Sequence, residues 1–199
     1  MKILFIGNSH TYFNDMPNIF KNLCRENNIK AEVTMLARGY KGLDYHCKEP
    51  QTRFNILYGD YDYVVLQHLQ SGFDKDILLQ SAEKLKKFII EGKSTGIFYM
   101  PWTLKNEREK QEYMTSGYFE AGKKLDMRVA PAGVIWWKYF DKFPKKNLYF
   151  TDDKHPSELG SALAAITIFH TIFNKTPDTN NPDYKDICDI IKQKLQTTI

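Results

Sequence analysis

Short apolar runs of strand length alternate with helical patterns along this sequence, and that alternation restricts the fold more than any other feature. The apolar runs cover residues 2–6, 29–37, 63–67, 95–100 and 127–131. The first, third and fourth are apolar throughout, as strands of a parallel sheet are when helices cover both faces. Strand–helix–strand units of this kind close right-handed around a parallel sheet. The sequence therefore predicts an α/β fold, a three-layer α/β/α sandwich with a five-stranded parallel sheet.

Helical periodicity separates the apolar runs. Helices are predicted at about 16–27, 77–91, 107–125, 134–143, 156–173 and 182–196, with a loop and a short helix over 42–58. Asp15 is expected to supply the N-cap oxygen of the first helix, and Pro17 suits its first turn. Trp136 and Trp137 are adjacent on one helix, so we expect one to pack on the sheet and the other to be partly exposed or at a subunit contact. Because the sequence has no linker or repeat, residues 1–199 are predicted to form a single domain.

Composition argues against several classes of function. There are 28 Lys and Arg residues against 24 Asp and Glu, and the net charge of +4 is spread along the chain, which argues against a nucleic-acid or anionic-membrane surface. Three scattered cysteines, Cys24, Cys47 and Cys188, are too few for a disulfide framework or a zinc knuckle. No stretch approaches the roughly 18 apolar residues of a membrane span. Because residues 1–6 read as a strand with no leader before it, a cytoplasmic location is expected.

Polar and aromatic residues collect where the predicted strands end, which is where open parallel sheets bind ligands. These residues are Ser9 and His10 after the first strand, Gly39 and Gly42 after the second, Gln67, His68 and Gln70 after the third, Trp102 after the fourth, and Asp152 and His155 before a late helix. The set contains the parts of an acyl-transfer site. A serine can be presented at a helix N-terminus, a neutral histidine can take its proton, and a carboxylate can orient the histidine.

Ser9 is the candidate nucleophile of such a site. Asp152 and His155 lie three residues apart, so a single tight turn could supply both the orienting carboxylate and the base. The N–H of Gly39 and the side-chain amide of Gln67 or Gln70 could complete an oxyanion hole.

Each of these residues also has a plain structural interpretation. A serine after a strand is commonly a helix cap, and a D-x-x-H sequence is commonly a surface turn. Gly39 and Gly42 could be turn residues with positive φ. His10 and His68 are interpreted as donors lining a cleft, because no spacing here predicts metal ligands. Trp102 either forms the floor of a substrate cleft or packs against the end of the sheet as a core residue. The functional interpretation is favoured because all the candidates fall at one edge of the predicted sheet.

Four segments of the sequence resemble the characteristic blocks of the SGNH (GDSL-type) hydrolases. They are IGNSH around Ser9, the glycine after the second strand, VVLQ at the end of the third strand, and YFTDDKHPSELGSALAA near the C-terminus. The resemblance spans residues 3–173 in the family's order, and D-x-x-H-P-S-x-x-G is its most specific part. Two blocks depart from the family. Gly-Asn-Ser replaces Gly-Asp-Ser, and LQHLQSG replaces the Gly-x-Asn-Asp block, similar to a branch of the superfamily with Leu-Gln at this place.

The resemblance implies a serine esterase that works through a Ser-His-Asp triad and an acyl-enzyme. By this resemblance Ser9 is the nucleophile, His155 the base and Asp152 the residue that orients the base; the spacing selects Asp152 over Asp153. The family implies esterase or lipase-like hydrolysis, often deacetylation of carbohydrates, with no metal or cofactor. The expected partner is a small-molecule ester substrate, such as an acylated sugar.

Three oxyanion donors are also implied by the resemblance. They are the N–H groups of Ser9 and Gly39 and a side-chain donor after the third strand. The family's asparagine is missing there, so Gln67 is the first candidate for the side-chain donor and Gln70 the second. Gly42 competes with Gly39, because the register between the second strand and GYKGL leaves room for either glycine.

A second reading belongs to a different class of function, a non-catalytic carbohydrate- or nucleotide-binding module on the same fold. A flavodoxin-like domain also places a loop with serine or threonine after its first strand, where it holds the phosphate of FMN. GNSHTYFN is compatible with such a loop. That reading leaves Asp152 and His155 without a role. The colour of the purified protein distinguishes the two readings, because a protein that holds flavin is yellow.

Overall fold

The computed structural model describes residues 1–196 and shows the predicted α/β/α sandwich. Its strands are β1 (Lys2–Gly7), β2 (Glu32–Ala37), β3 (Tyr63–Leu66), β4 (Thr95–Tyr99) and β5 (Arg128–Ala130). All neighbouring pairs are parallel, and the strand order is β2-β1-β3-β4-β5. The chain therefore runs outward from β1 in two directions, which places the switch in strand order at the end of β1.

The register of the sheet brings the ends of its strands to a common edge. Ile6 of β1 pairs with Leu36 of β2 and with Leu66 of β3, and Leu66 pairs with Phe98 of β4. The side chains of β1 alternate between the two helical layers, and those of residues 3–6 are completely buried. The edge strand β2 is more exposed than β1, because fewer helices cover it. The loops that leave the carboxyl ends of β1, β3 and β4 therefore lie on one side of the molecule.

Nine helices lie within residues 1–196. They are α1 (Ser9–Tyr12), α2 (Met16–Glu26), α3 (Leu43–His46), α4 (Pro50–Tyr58), α5 (Lys75–Glu91), α6 (Gln111–Leu125), α7 (Ala132–Lys142), α8 (Glu158–Phe173) and α9 (Pro182–Gln196). Helices α2, α7, α8 and α9 pack in one apolar core, and α3, α4, α5 and α6 in the other, on the opposite side of the sheet. None of these helices combines the length and the apolar character that crossing a bilayer requires.

Two local predictions are corrected by the structure. Asp15 does not cap α2: its backbone is left-handed (φ 53°, ψ 47°) and its side chain makes no capping hydrogen bond. The segment Phe13–Asp15 forms a short 3₁₀ turn instead, so the chain turns sharply before α2 begins. The segment predicted to hold one short helix forms two, α3 and α4, separated by a turn around Cys47.

The tryptophan pair is a third correction. Trp136 is completely buried, but Trp137 is also buried, with 6% exposure. The indole of Trp136 stacks on Trp102, with ring centroids 3.7 Å apart. Trp137 Nε1 donates to Gln111 Oε1 over 3.2 Å, and the Arg108 guanidinium lies 4.9 Å from its ring. The prediction assumed that the side of α7 facing away from the sheet is open to solvent. The segment around Arg108 and Gln111, at the start of α6, covers that side instead.

Candidate active site

The turn after β1 presents Ser9. Asn8 lies in extended conformation, and its Oδ1 accepts a hydrogen bond from the His10 N–H over 3.1 Å, so Asn8 rather than Ser9 caps α1. Its Nδ2 donates to the Lys41 carbonyl over 3.0 Å, which ties the turn to the loop after β2. With α1 only four residues long, a helix dipole contributes little here. The Ser9 hydroxyl is left available for contacts outside its own helix.

A tight loop before α8 carries the other two candidates. The Phe150 N–H donates to the His155 carbonyl over 2.7 Å, and the Asp153 N–H donates to the Phe150 carbonyl over 3.1 Å. Asn14 Nδ2 donates to the Pro156 carbonyl over 3.0 Å and so joins this loop to the turn after α1. Because of these bonds the loop and the Ser9 turn have a defined relative position, although 146 residues separate Ser9 from His155.

Ser9, His155 and Asp152 form a chain of hydrogen bonds. His155 Nε2 lies 2.8 Å from Ser9 Oγ, and His155 Nδ1 lies 2.5 Å from Asp152 Oδ2. Since the carboxylate accepts the Nδ1 proton, Nε2 is left unprotonated and accepts the Ser9 hydroxyl proton. The His155 side chain is 17% exposed and that of Asp152 41% exposed, so the pair lies at the surface of a cleft rather than in the core.

Asp152 is held in its ionised form. Partial burial raises the pKa of this carboxyl, but hydrogen bonds from the His155 ring and from the backbone N–H groups of His155 and Lys154 outweigh burial and lower the pKa to about 2. The two backbone bonds go to Oδ1, over 2.9 Å from His155 and 3.1 Å from Lys154. One carboxylate oxygen therefore organises the loop while the other holds the imidazole.

Two aromatic rings flank His155. Phe13 is stacked on the imidazole, with centroids 4.6 Å apart and planes inclined by 12°. The His10 ring lies 5.5 Å away, and burial, helped by the nearby Lys154 ammonium, lowers the pKa of His10 to about 3, so it is neutral. Phe13 was missed by the sequence analysis, because its position depends on the left-handed backbone of Asn14 and Asp15, which no periodicity signals.

The structure gives the Gln67 side chain a structural role in the turn after β1. Its side chain is completely buried, and its Oε1 accepts the Asn8 N–H over 2.9 Å and the Thr11 hydroxyl over 3.0 Å. Its Nε2 donates to the His68 carbonyl. One of the two amide N–H groups is thus engaged by the backbone, and the role of the other as an oxyanion donor stays a prediction. Through its Oε1, Gln67 holds the turn that carries Ser9.

In the described part of the chain, the other candidate oxyanion donors have N–H groups without a hydrogen-bond acceptor. Within residues 1–196 the N–H groups of Ser9, Gly39 and Gly42 have no acceptor, and the buried Gln70 amide has no partner at either atom. Neither glycine has positive φ, so the turn interpretation was wrong; the left-handed residue of this loop is Tyr40. A Cβ at Gly42 would lie 2.6 Å from the His68 ring, so close packing accounts for that glycine.

The residues expected to line a substrate cleft are all buried. Their exposures are at most 6% for His10, His68, Gln70 and Trp102. Trp102 plugs the end of the sheet: its ring stacks on Trp136, and its Nε1 donates to the Lys154 carbonyl over 3.1 Å. These residues therefore offer almost no surface to a ligand. Three exposed aromatic side chains lie on segments that adjoin Ser9 and were not singled out by the sequence analysis, namely Tyr12, Tyr40 and Phe150.

Buried neutral histidines predict acid sensitivity of the fold. His68 Nδ1 accepts the Leu43 N–H over 2.9 Å, and burial lowers the pKa of His68 to about 4. Burial also lowers the pKa values of His46, whose Nε2 donates to the Gly7 carbonyl, and of His10. Below the unfolded value of 6.5 the unfolded chain binds protons that the native protein does not, so stability falls as the pH falls.

We expect the free energy of unfolding to drop by several kcal/mol between about pH 7 and about pH 5, since His10 and His68, with native pKa values of about 3 and about 4, each cost about 1.4 kcal/mol per pH unit below the unfolded pKa. Urea denaturation at a series of pH values measures this. A free energy that stays level down to about pH 5 would show that these histidines are not buried and neutral in solution.

Comparisons with known proteins support the fold. No protein-family model matches the sequence, and the search of curated proteins returns no match. Solved structures do match. A protein from Slackia heliotrinireducens, provisionally named an SGNH hydrolase, has a TM-score of 0.72 at 23% identity, over 86% of this chain and 98% of that one. A DUF4886 family protein from Bacteroides uniformis has a TM-score of 0.77 at 15% identity, over 100% of this chain and 95% of that one.

A third structure is a two-domain esterase active on acetylated mannans. Its TM-score is 0.68 at 14% identity, and the match covers 92% of this chain but 53% of that one. The chain therefore corresponds to about half of the two-domain protein. At identities this low the likeness concerns the arrangement of the backbone. This chain has the fold of the SGNH (GDSL-type) hydrolases.

Proposed function

We propose that this protein is a serine esterase that hydrolyses small acyl esters. The observation that carries the proposal is the hydrogen-bonded chain from Ser9 through His155 to Asp152, with distances of 2.8 and 2.5 Å. These are the contacts that nucleophilic acyl transfer needs between nucleophile, base and orienting acid. These three hydrogen-bonded residues lie at the carboxyl edge of a parallel sheet, where folds of this class bind substrates.

The proposed reaction has two halves. In the first, Ser9 Oγ attacks the ester carbonyl while His155 Nε2 takes its proton. The tetrahedral intermediate then collapses, His155 gives that proton to the departing alcohol, and the acyl group stays on Ser9. In the second half, water attacks the acyl-enzyme while His155 Nε2 takes a proton from it; the second tetrahedral intermediate then collapses, His155 returns that proton to Ser9 Oγ, and the carboxylic acid leaves. Asp152 keeps the proton on Nδ1 throughout, and the Phe13 face stabilises the imidazolium that forms at each step.

The oxyanion is proposed to bind to the unused N–H groups of Ser9 and Gly39. Gln70 is the better candidate for a third donor, because its buried amide has no partner within residues 1–196, whereas one of the two N–H groups of the Gln67 amide already donates to the His68 carbonyl. Loss of one such donor typically costs about 10²-fold in rate. Nucleophile, base, orienting acid and oxyanion donors all come from the chain, so the mechanism calls for no metal or cofactor.

An acetyl ester on a carbohydrate is the proposed substrate class. Two observations support it. One structural neighbour is an esterase active on acetylated mannans, and the side chains exposed around Ser9 include Tyr12, Tyr40 and Phe150. Exposed aromatic side chains offer flat apolar surfaces with polar rims, which match the two faces of a sugar ring.

Covalent labelling tests the proposal without knowledge of the natural substrate. A fluorophosphonate should react with the wild-type protein at Ser9, since only an activated serine attacks phosphorus at a useful rate. Intact-mass analysis and peptide mapping locate the adduct. His155→Ala should label at least about 10²-fold more slowly, because Ser9 then lacks its base. A wild-type protein that stays unlabelled would favour the alternative, a non-catalytic binding module on this fold.

A further inference from the structure

Tyr40 occupies a backbone conformation that a tyrosine rarely adopts. The turn 38–41 is closed by the Lys41 N–H, which donates to the Arg38 carbonyl over 3.2 Å, and Tyr40 at its third position has φ of 60°. Glycine or asparagine is the usual residue there, because a Cβ crowds the neighbouring carbonyl. The glycine of this turn, Gly39, stands one position earlier and does not use a positive φ.

Packing does not account for tyrosine at this strained position. The side chain is 76% exposed, so it buries little surface that would stabilise the fold. The contact found for its ring is with the Lys154 ammonium, 4.5 Å from the ring centroid. Residues kept in strained conformations without a packing reason are found preferentially at functional sites.

The position of the ring relative to Ser9 points to the function. The turn 38–41 is held to the Ser9 turn on both sides, because the Arg38 N–H donates to the Gly7 carbonyl over 3.0 Å and the Lys41 carbonyl accepts from Asn8 Nδ2 over 3.0 Å. Lys154, which covers one face of the ring, is next to His155 in sequence. Tyr40 therefore bridges the proposed oxyanion loop and the loop that carries the base, at the mouth of the site.

We propose that Tyr40 is the residue on which the ring of the substrate's alcohol moiety stacks, with Lys154 holding the phenol in place. This inference rests on the proposed esterase function and assigns its specificity. An exposed tyrosine ring binds the apolar C–H face of a pyranose, while the nearby ammonium can donate to the ring and ester oxygens of an acetylated sugar. A long acyl chain would need an apolar channel, whereas this rim carries the exposed cations of Arg38 and Lys41 and the half-buried ammonium of Lys154.

Two ester substrates separate ring stacking from chemistry. Acetate release from methyl tetra-O-acetyl-β-D-glucopyranoside and from ethyl acetate, which has no ring, is followed by pH-stat for wild type and Tyr40→Asn. Asparagine tolerates the left-handed backbone but has no ring to offer. We expect the ratio of kcat/KM for the sugar ester to that for ethyl acetate to fall about 10-fold, mainly through KM, and to recover in Tyr40→Phe.

Tyr58→Asn is the matched control, because Tyr58 is 72% exposed on α4, next to Gly59, whose carbonyl binds Lys2 at the opposite edge of the sheet. It should leave the ratio unchanged. Tyr40→Asn should also melt at the same temperature as wild type or about 2 °C higher, since it relieves strain. A lower melting temperature together with an unchanged ratio would make Tyr40 a structural residue and overturn the proposal.

Failure of the esterase function is distinguished by a binding measurement. Calorimetric titration of the same sugar ester into Ser9→Ala and into Ser9→Ala/Tyr40→Asn needs no turnover. The proposal predicts a Kd about 10-fold higher for the double variant. Equal Kd values overturn the stacking role, whatever the wild type does with ethyl acetate.

Discussion

Ser9→Ala is expected to reduce the hydrolysis of p-nitrophenyl acetate by about 10³-fold or more, to near the level of the assay without enzyme. Without the hydroxyl, no acyl-enzyme forms, and His155 Nε2 loses the partner that now lies 2.8 Å away. What remains is the modest effect of the oxyanion donors on a direct attack by water. The side chain is half-buried and small, so its removal should leave the fold intact. The measurement is the initial rate for variant and wild type purified side by side.

Ser71→Ala is the control for this result. Ser71 also follows a strand at the carboxyl edge of the sheet, but it is exposed and takes no part in the hydrogen-bonded chain. Its variant should keep wild-type activity within about twofold, as surface substitutions usually do. If Ser9→Ala retains the wild-type rate while Ser71→Ala does too, the hydrolysis comes from another nucleophile or from a contaminating esterase, and the proposed mechanism is wrong.

The fold was predictable from sequence because the apolar runs of its strands and the periodicity of its helices can be recognised without knowledge of tertiary contacts. The runs that became β1, β3 and β4 are buried on both faces, and a fully apolar run of strand length reports that directly. The edge strand β2 was predicted from residue 29 but begins at Glu32, where its exposed side chains give no apolar signal at the boundary. Helix α5 begins at Lys75, two residues earlier than predicted, because Asp74 caps it.

Contacts within the candidate site were predictable where both partners belong to one short segment. Asp152 and His155 share a turn, so their spacing alone brings carboxylate and imidazole together. The contacts that join distant segments were not predictable. The orientation of the Gln67 amide depends on Asn8 and Thr11, which lie 59 and 56 residues away. No pattern within either segment specifies that pairing, so a glutamine at the end of a strand looks the same whether its amide faces substrate or backbone.

Left-handed residues were a further source of error. Asn14, Asp15 and Tyr40 all have φ between 52° and 60°. Asparagine and aspartate tolerate such a backbone and so give a weak signal, whereas tyrosine gives none. The two features that surround the base and the mouth of the site, the stacking of Phe13 and the exposure of Tyr40, depend on these turns. The sequence patterns therefore predicted the residues of the candidate site but not the aromatic groups around them.

Asp152→Asn is expected to lower kcat by about 10² to 10⁴-fold without unfolding the loop. The asparagine Oδ1 can still accept the backbone N–H groups of Lys154 and His155, so the turn should persist. Its Nδ2 then faces His155 Nδ1 as a donor, which favours the tautomer with the proton on Nε2. In that tautomer Nε2 cannot accept the Ser9 proton, and the base is lost although every atom keeps its place.

Asp153→Asn separates this tautomer effect from a general loss of negative charge in the loop. Asp153 neighbours Asp152 and pairs with Lys105 over 3.0 Å, but both side chains are substantially exposed, and such a pair contributes at most about 1 kcal/mol. Its left-handed backbone, φ 53°, suits asparagine equally well. We expect Asp153→Asn to keep its rate within about twofold of wild type. Equal losses in the two variants would mean that the loop's charge matters and not the bond to His155 Nδ1, and the assignment of Asp152 as the orienting acid would fall.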